Sequence, residues 1–281
     1  MSSGTPTPLL SHPLGADSVF RAADLMQAVR DARGLPDQPV PPICVLDFDG
    51  DLSDGLTRDN GATPVHSWAC FHTQMLGVTL DGVRCGVVPR TIGGPYAVLI
   101  AEQLHAAGAQ VILGITSAGR VSPTLPLPCI VVADRAVRDE GTSLHYLPPS
   151  ESVVTPTTAL LDHLDVTLSK LGPVRRGRVW TTDAPYRETS EQLRRWADEG
   201  VLAVEMQAAA LFAFGHARQA RVGVVALVSN SVDHTGDQFD TGEHAYRVSV
   251  LSAVVQAAQA FLTEASISRD ADQCESGAEP A

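Results

Sequence analysis

The segment GVLAVEMQAAALFAF at residues 200–214 decides the fold, set between VWTTDAPYRET at 179–189 and RVGVVALVSNSVDHTGDQFDTG at 221–242. In order, these stretches predict an apolar strand, an aromatic-bearing turn, a helix, a short strand, a buried helix and a long apolar strand. The last strand stops at the polar pair Ser229 and Asn230. Strands alternating with helices, several of the strands being uninterrupted apolar runs, predict an α/β domain. Its central sheet is expected to be mixed but mostly parallel, with helices on both faces. Ligand-contacting groups in such sheets sit just past the carboxyl ends of strands. Three strand ends therefore aim side chains at one place: Thr182 with Asp183, Glu205 with Met206 and Gln207, and Ser229 with Asn230 and Ser231. Residues 208–214 read as a core helix because they are apolar nearly all round. Core packing does not explain Glu205 and Gln207 flanking Met206 at the helix start.

Upstream, residues 19–33 carry apolar side chains at helical spacing and end at Gly34, a helix stop. Residues 43–48 are the first core strand, which runs into the acidic stretch Asp47-Phe48-Asp49-Gly50-Asp51-Leu52-Ser53-Asp54. Residues 68–76 and 83–88 predict two strands joined around Asp81-Gly82. A helix at 95–107 stops at Gly108; the strand at 110–115 is followed by a small-residue turn, Thr116 to Gly119. Further elements are a strand at 130–133, a helix at 160–171, a strand at 178–182 and a helix at 188–197. A polar loop after Asn230 leads to a long helix over 243–265. Residues 1–16 are expected to be a flexible leader, 17–267 the domain and 268–281 a disordered tail.

No Gly/Ser- or Pro-rich linker divides the 281 residues, so a single domain is preferred. Apolar content of 44% is ample for a buried core and excludes wholesale disorder. A formal net charge of −12, with Lys170 the only lysine and no basic run, disfavours nucleic acid or an anionic membrane as partner. No run of about eighteen apolar residues is available to span a bilayer. The N-terminus lacks the cationic start and apolar run of a signal peptide. Cys44, Cys70, Cys85, Cys129 and Cys274 are scattered, odd in number and without a CxxC pair, which points to a reducing cytoplasm. The histidines His66, His72 and His234 have no ligand-like spacing, and no metal site is expected.

Four blocks, residues 200–210, 182–189, Ile92-Gly93-Gly94-Pro95 and Thr116-Ser117-Ala118-Gly119, resemble the nucleoside phosphorylase family in sequence and in order. Members of that family are α/β enzymes that cleave the base–sugar bond of nucleosides. The likeness spans roughly residues 40–265. It implies a small-molecule nucleoside as partner, purine-type favoured, and a homo-oligomer that is dimeric or dimer-based. Inorganic phosphate is the implied co-substrate, and no cofactor is implied. In the family the methionine packs on the sugar and a following glutamate binds its hydroxyls; here these positions are Met206 and Gln207. Glu205 is the residue left to supply the missing charge. Asn230 stands where many members place an aspartate that protonates the departing purine, and another branch uses asparagine for 6-oxopurines. Arg247 falls where the family has an assisting arginine, and Tyr186 is the candidate to stack on the base. Residues 66–72 fall in a region where some members complete a neighbour's sugar pocket.

The acceptor side departs from the family pattern. Gly50-Asp51 matches its glycine–aspartate turn, yet Asp54 occupies the place of a phosphate-binding arginine, and Leu113 and Gly114 that of a second. A phosphate dianion needs cations or a dense donor set to offset its desolvation. Thr116, Ser117 and the backbone near Gly50, Gly93, Gly94 and Gly119 remain as an anion or water site, with Arg58, Arg90 and Arg120 as compensating cations. Water activated by Asp47, Asp49 or Asp51 is thus a rival acceptor, making hydrolysis the alternative to phosphorolysis. A non-catalytic nucleoside-binding protein is a further alternative. The opening Asp47-x-Asp49 also resembles a dehalogenase-type phosphatase, with Thr116, Lys170 and Asp237 in the loosely matching order.

Overall fold

Ile43–Asp47 (β1) is buried at every position, as four successive inward and outward apolar residues, Ile43 to Leu46, require when both faces of a sheet are covered. In the computed structural model, which describes residues 7–11, 13–59, 61–231 and 243–276, β1 lies between two parallel neighbours, Val83–Pro89 (β4) and Val111–Arg120 (β5). Leu76–Leu80 (β3) and the two-residue Thr63–Pro64 (β2) extend this side antiparallel. On the other side come Cys129–Asp139 (β6), Ser152–Val154 (β7), Val174–Thr182 (β8), Ala203–Glu205 (β9) and Val222–Ser231 (β10). The helices are Ala22–Arg33 (α1), Asp51–Arg58 (α2), Gly94–Ala106 (α3), Thr158–Leu168 (α4), Ser190–Asp198 (α5), Ala208–Arg218 (α6) and His244–Ser276 (α7).

The sheet is mixed and partly closed on itself. Its path runs β10-β6-β8-β9-β5-β1-β4-β3-β2, and β10 also pairs with β5, which joins β5, β9, β8, β6 and β10 into a ring. One core cluster packs α3 and α6 against one face of the sheet through residues such as Leu104, Ile100, Phe212 and Phe214. The other packs α4 and α7 on the opposite face through Leu160, Leu164, Leu251 and Val255. The α7 window 244–267 is long and apolar enough to cross a bilayer, but half of it is buried here, as in a core helix.

Several element boundaries differ from the expectation. The small-residue stretch Thr116 to Gly119 is not a turn; β5 continues through it to Arg120, paired with β10 and, at its tip, with β9. The expected strand at 68–76 begins only at Leu76, because Trp68 and Met75 are buried from a loop rather than by strand alternation. Helix α1 starts at Ala22, leaving Val19 and Phe20 outside it and exposed. Within the expected leader, Pro8–Leu10 forms a 3-10 turn set against the turn Thr142–His145. The backbone of α7 is helical to Ser276, eleven residues past the helix end expected at 265.

Candidate active site

The site is built where β1 and β9 part company along one edge of β5. β1 pairs with β5 up to Asp47↔Ile115, and β9 takes up the β5 edge again only at Gly119↔Val204. The backbone of residues 116–118 therefore has no strand on that side. Such a divergence at the carboxyl end of parallel strands is a topological switch point, where open α/β sheets place their ligands.

Side chains fill the gap from both sides. From the β1 side, the Asp49 carboxylate accepts from the Ser117 backbone N–H at 2.9 Å and from its hydroxyl at 3.1 Å. From the β9 side, buried Gln207 brings its Oε1 to 3.4 Å from the Thr116 hydroxyl and accepts the Met206 N–H at 3.2 Å. On the far side of β5, Asn230 pairs with Gly119 after a bulge in β10. The ends of β9 and β10 thus meet across β5, which brings Gln207, Met206, Thr116, Ser117, Gly119, Asn230, Asp49 and Gly50 into one region.

Asp47 is committed to structure. Its buried carboxylate accepts from the N–H groups of Gly50 and Ser53 and from the Ser53 hydroxyl, closing the first turn of α2. Burial pushes its carboxyl above the usual range against the pull of those donors. A carboxylate so engaged is a poor nucleophile, which corrects the phosphatase reading. Lys170 lies exposed in the turn between α4 and β8. Asp237 lies outside the described residues.

Arg90 and Arg247 both approach this loop. Arg90, just past β4, forks onto Asp54 at 2.9 and 2.5 Å, and this partner holds the Asp54 carboxyl below its ordinary range. The backbone of Arg90 is left-handed (φ 54°), and its side chain lies across Gly50, where a Cβ would sit 2.6 Å from the Arg90 Cγ. Buried Arg247 approaches Asp49 at 3.9 Å and Asp51 at 3.7 Å. Asp47, Asp49, Asp51 and Asp54 place four carboxyl groups on this loop, and Arg58, at the end of α2, adds its charge to that of Arg90 near Asp54. Gly93 (φ 88°) caps α3 with open space beside it, whereas Gly94 packs tightly on Ala210 and Thr142.

Two expected ligand residues are placed otherwise. Glu205 turns inward rather than toward a sugar: it is buried and accepts from the Thr181 hydroxyl (2.5 Å) and the N–H groups of Gln207 (2.6 Å) and Ala208 (2.8 Å). Thr181 in turn accepts the Ala209 N–H at 2.9 Å, so two side chains satisfy the first turn of α6. Burial lifts the Glu205 carboxyl to about 7 despite these donors. Tyr186 sits in the 3-10 turn Pro185–Arg187 and is 99% exposed, so its ring stands in solvent rather than over a base site. The end of β8 likewise serves local structure, with Asp183 accepting the Gly141 N–H and Thr182 that of Ala184.

A broad cleft of about 1310 Å³ lies apart from this region, between residues 17–25, α3 and the turn Thr142–His145. Neither Thr116, Gln207 nor Asn230 lines it. The geometry at the β5 edge, where strand ends and polar side chains converge, is the better guide to chemistry.

A family model described as the phosphorylase superfamily matches residues 43–266. The chain belongs to the phosphorylase superfamily. Among its superfamily relatives, a guanosine phosphorylase of Halorubrum lacusprofundi is 26% identical over 57% of this chain and 66% of its own length. A uridine phosphorylase of Treponema pallidum is 32% identical over 54% of this chain and 64% of its own. The chain therefore spans just under two thirds of the length of these curated relatives. The crystal structure of uridine phosphorylase from Vibrio fischeri ES114 shares the fold, with a TM-score of 0.66 at 20% identity, covering 80% of this chain and 95% of that one.

Two superfamily-region residues were not singled out by sequence reasoning. Thr181 completes the α6 cap, and its signal is a hydroxyl at a strand end beside the Val204-Glu205-Met206 strand. Phe48 packs over Gly114, where a Cβ would meet its ring carbons at 2.7 Å. The paired signal is an aromatic following one strand and a glycine within the next.

Proposed function

We propose that this protein cleaves the N-glycosidic bond of a nucleoside, a purine nucleoside by preference, with water as the attacking group. The observation that carries the choice of water is the Asp49 carboxylate seated on both donors of Ser117. An anionic acceptor needs those donors, and it would meet Asp49, Asp51 and Asp54 on the same loop. Arg90, one candidate substitute for a missing cation, is already forked onto Asp54. Water needs no countercharge and gains a base in Asp49.

In this reading Met206 and Gln207 hold the sugar, and Asn230 offers its amide to the N7 and O6 edge of the purine, with Arg247 assisting. The water oxygen bonds to the anomeric carbon, and the C–N bonding pair leaves with the base. The water proton passes to Asp49 and on to the departing base. Bond breaking is dissociative, so positioning and electrostatics carry most of the rate. Four free, buried thiols, Cys44, Cys70, Cys85 and Cys129, support a reducing, cytoplasmic setting. Exposed Val19, Phe20 and Leu99 around the broad cleft support self-association.

Phosphorolysis is the second reading, supported by the activities named for the relatives. A panel of purine and pyrimidine nucleosides, assayed for free base with and without inorganic phosphate, separates the two. Equal base release in both buffers is expected here. Release only with phosphate would establish phosphorolysis, and binding with no release under either condition would make the protein a nucleoside binder.

A further inference from the structure

Helix α2 has a glycine, Gly55, in its middle, and glycine is among the poorest helix formers. Space explains it. A Cβ at Gly55 would lie 1.9 Å from Cε1 and 2.0 Å from Nδ1 of His244, so the imidazole rests directly on the α2 backbone. His244 is the first residue of α7, and its Nε2 reaches Asp59, the residue that closes α2, at 3.2 Å. Its Nδ1 is buried with no hydrogen-bond partner, which a ring placed by packing accepts as the cost of its seat.

Three residues on, and so on the same side of the helix, Arg247 approaches Asp49 and Asp51 at the opposite end of α2. The first turn of α7 thus grips α2 at both ends. The Arg247 approaches, 3.9 and 3.7 Å, are within ion-pair reach, and the helix turn that carries Arg247 is the one His244 seats on α2.

Resting on the nucleoside-cleavage reading above, we infer that His244 is a positioning residue for Arg247. The ring on Gly55 and the latch to Asp59 set the guanidinium against Asp49 and Asp51, beside the Ser117 donors. His244 touches neither substrate nor reacting atoms; it fixes the register of α7 on α2. Because a displaced guanidinium is felt most in the transition state, its loss should appear in kcat rather than in KM.

The test uses the full chain and three variants, His244→Ala, Gly55→Ala and the double variant, each measured for Tm and for base release from the best nucleoside of the panel. His244→Ala is expected to lower kcat about tenfold or more with KM nearly unchanged. Gly55→Ala forces the ring off its seat and should lower both Tm and kcat. In the double variant the methyl group fills the space left by the ring, so Tm returns toward wild type while kcat stays low. Recovery of kcat together with Tm, or an unchanged kcat in His244→Ala, overturns the positioning role. Should Gly55→Ala fail to fold, His244→Ala decides alone by its kcat. Wild-type protein that releases no base from any nucleoside overturns the cleavage reading, and the role of His244 with it.

Discussion

Asp49 reaches 68 residues along the chain to accept both hydrogen-bond donors of Ser117, the N–H at 2.9 Å and the hydroxyl at 3.1 Å. The contact closes the one stretch of β5 edge that neither β1 nor β9 covers, so a carboxylate of the protein occupies the donors that an incoming anion would use. If that carboxylate is the base for water, Asp49→Ala should lower phosphate-free base release by about 10²- to 10⁴-fold. It should also free Ser117, so that added phosphate recovers part of the rate. Steady-state assays with and without phosphate read both effects, and an unchanged phosphate-free rate would remove Asp49 from the chemistry.

Asp54 and Arg90 form an exposed, bidentate pair. Exposed pairs contribute little to stability, so Asp54→Ala should change unfolding free energy by no more than about 1 kcal/mol. Its consequence is expected in binding: Arg90, released from its partner, becomes available to an anion at the same loop. Isothermal titration with inorganic phosphate should detect binding in Asp54→Ala that is weaker or absent in the wild type. Equal affinity in the two proteins would mean that this loop is not where an anion is received.

Glu205 gives a pH signature. Its carboxyl is raised from 4.5 to about 7 by burial, so the folded state holds a proton that the unfolded state has released across that window. The stability tied to this group is complete below pH 4.5 and is lost as pH rises through about 7. The loss amounts to about 3 kcal/mol at one pKa unit per 1.36 kcal/mol. Asp47 and Glu140 are shifted the same way, so the comparison must be with Glu205→Gln rather than with the wild-type slope alone. Urea denaturation at pH 5 and pH 8 should show the variant losing less stability between the two than the wild type. Parallel pH profiles would place the titration elsewhere.

The sheet, the helices on both faces and the convergence of the β9 and β10 ends were legible because apolar runs and glycine stops follow directly from burial and chain reversal. The gap in the β5 edge was not. Thr116 to Gly119 is built of small residues, which suit a tight turn and the crowded end of a strand equally well, and only the partners of β5 decide between them. Glu205 illustrates a second limit. An acidic residue beside a sugar-binding methionine and a helix cap have the same one-dimensional signature, because alternation along β9 does not say which side the helix will fall on. Tertiary contact with Thr181, 24 residues away, settles its role as a cap. The Asp49–Ser117 contact has no local signature at all.

Tyr186 tests the exposed turn. With its ring in solvent, Tyr186→Ala should leave KM for the nucleoside within about twofold and unfolding free energy within about 0.5 kcal/mol, as for ordinary surface substitutions. A KM increase of tenfold or more would show that the turn Pro185–Arg187 folds over the base when substrate binds.

Gly114 stands where the family resemblance places a second phosphate arginine, and the packing explains its absence. The buried Phe48 ring lies against its backbone, with two ring carbons 2.7 Å from any added Cβ. Even Gly114→Ala overpacks this contact and should cost about 1–3 kcal/mol. Gly114→Arg should cost more without creating phosphate binding, because the ring and the guanidinium compete for one space. The double variant Phe48→Leu, Gly114→Ala relieves the clash and should recover part of the loss. Denaturation curves for the three variants decide the matter: a fully stable Gly114→Arg protein would mean that Phe48 yields easily and that packing is not what keeps an arginine from this position.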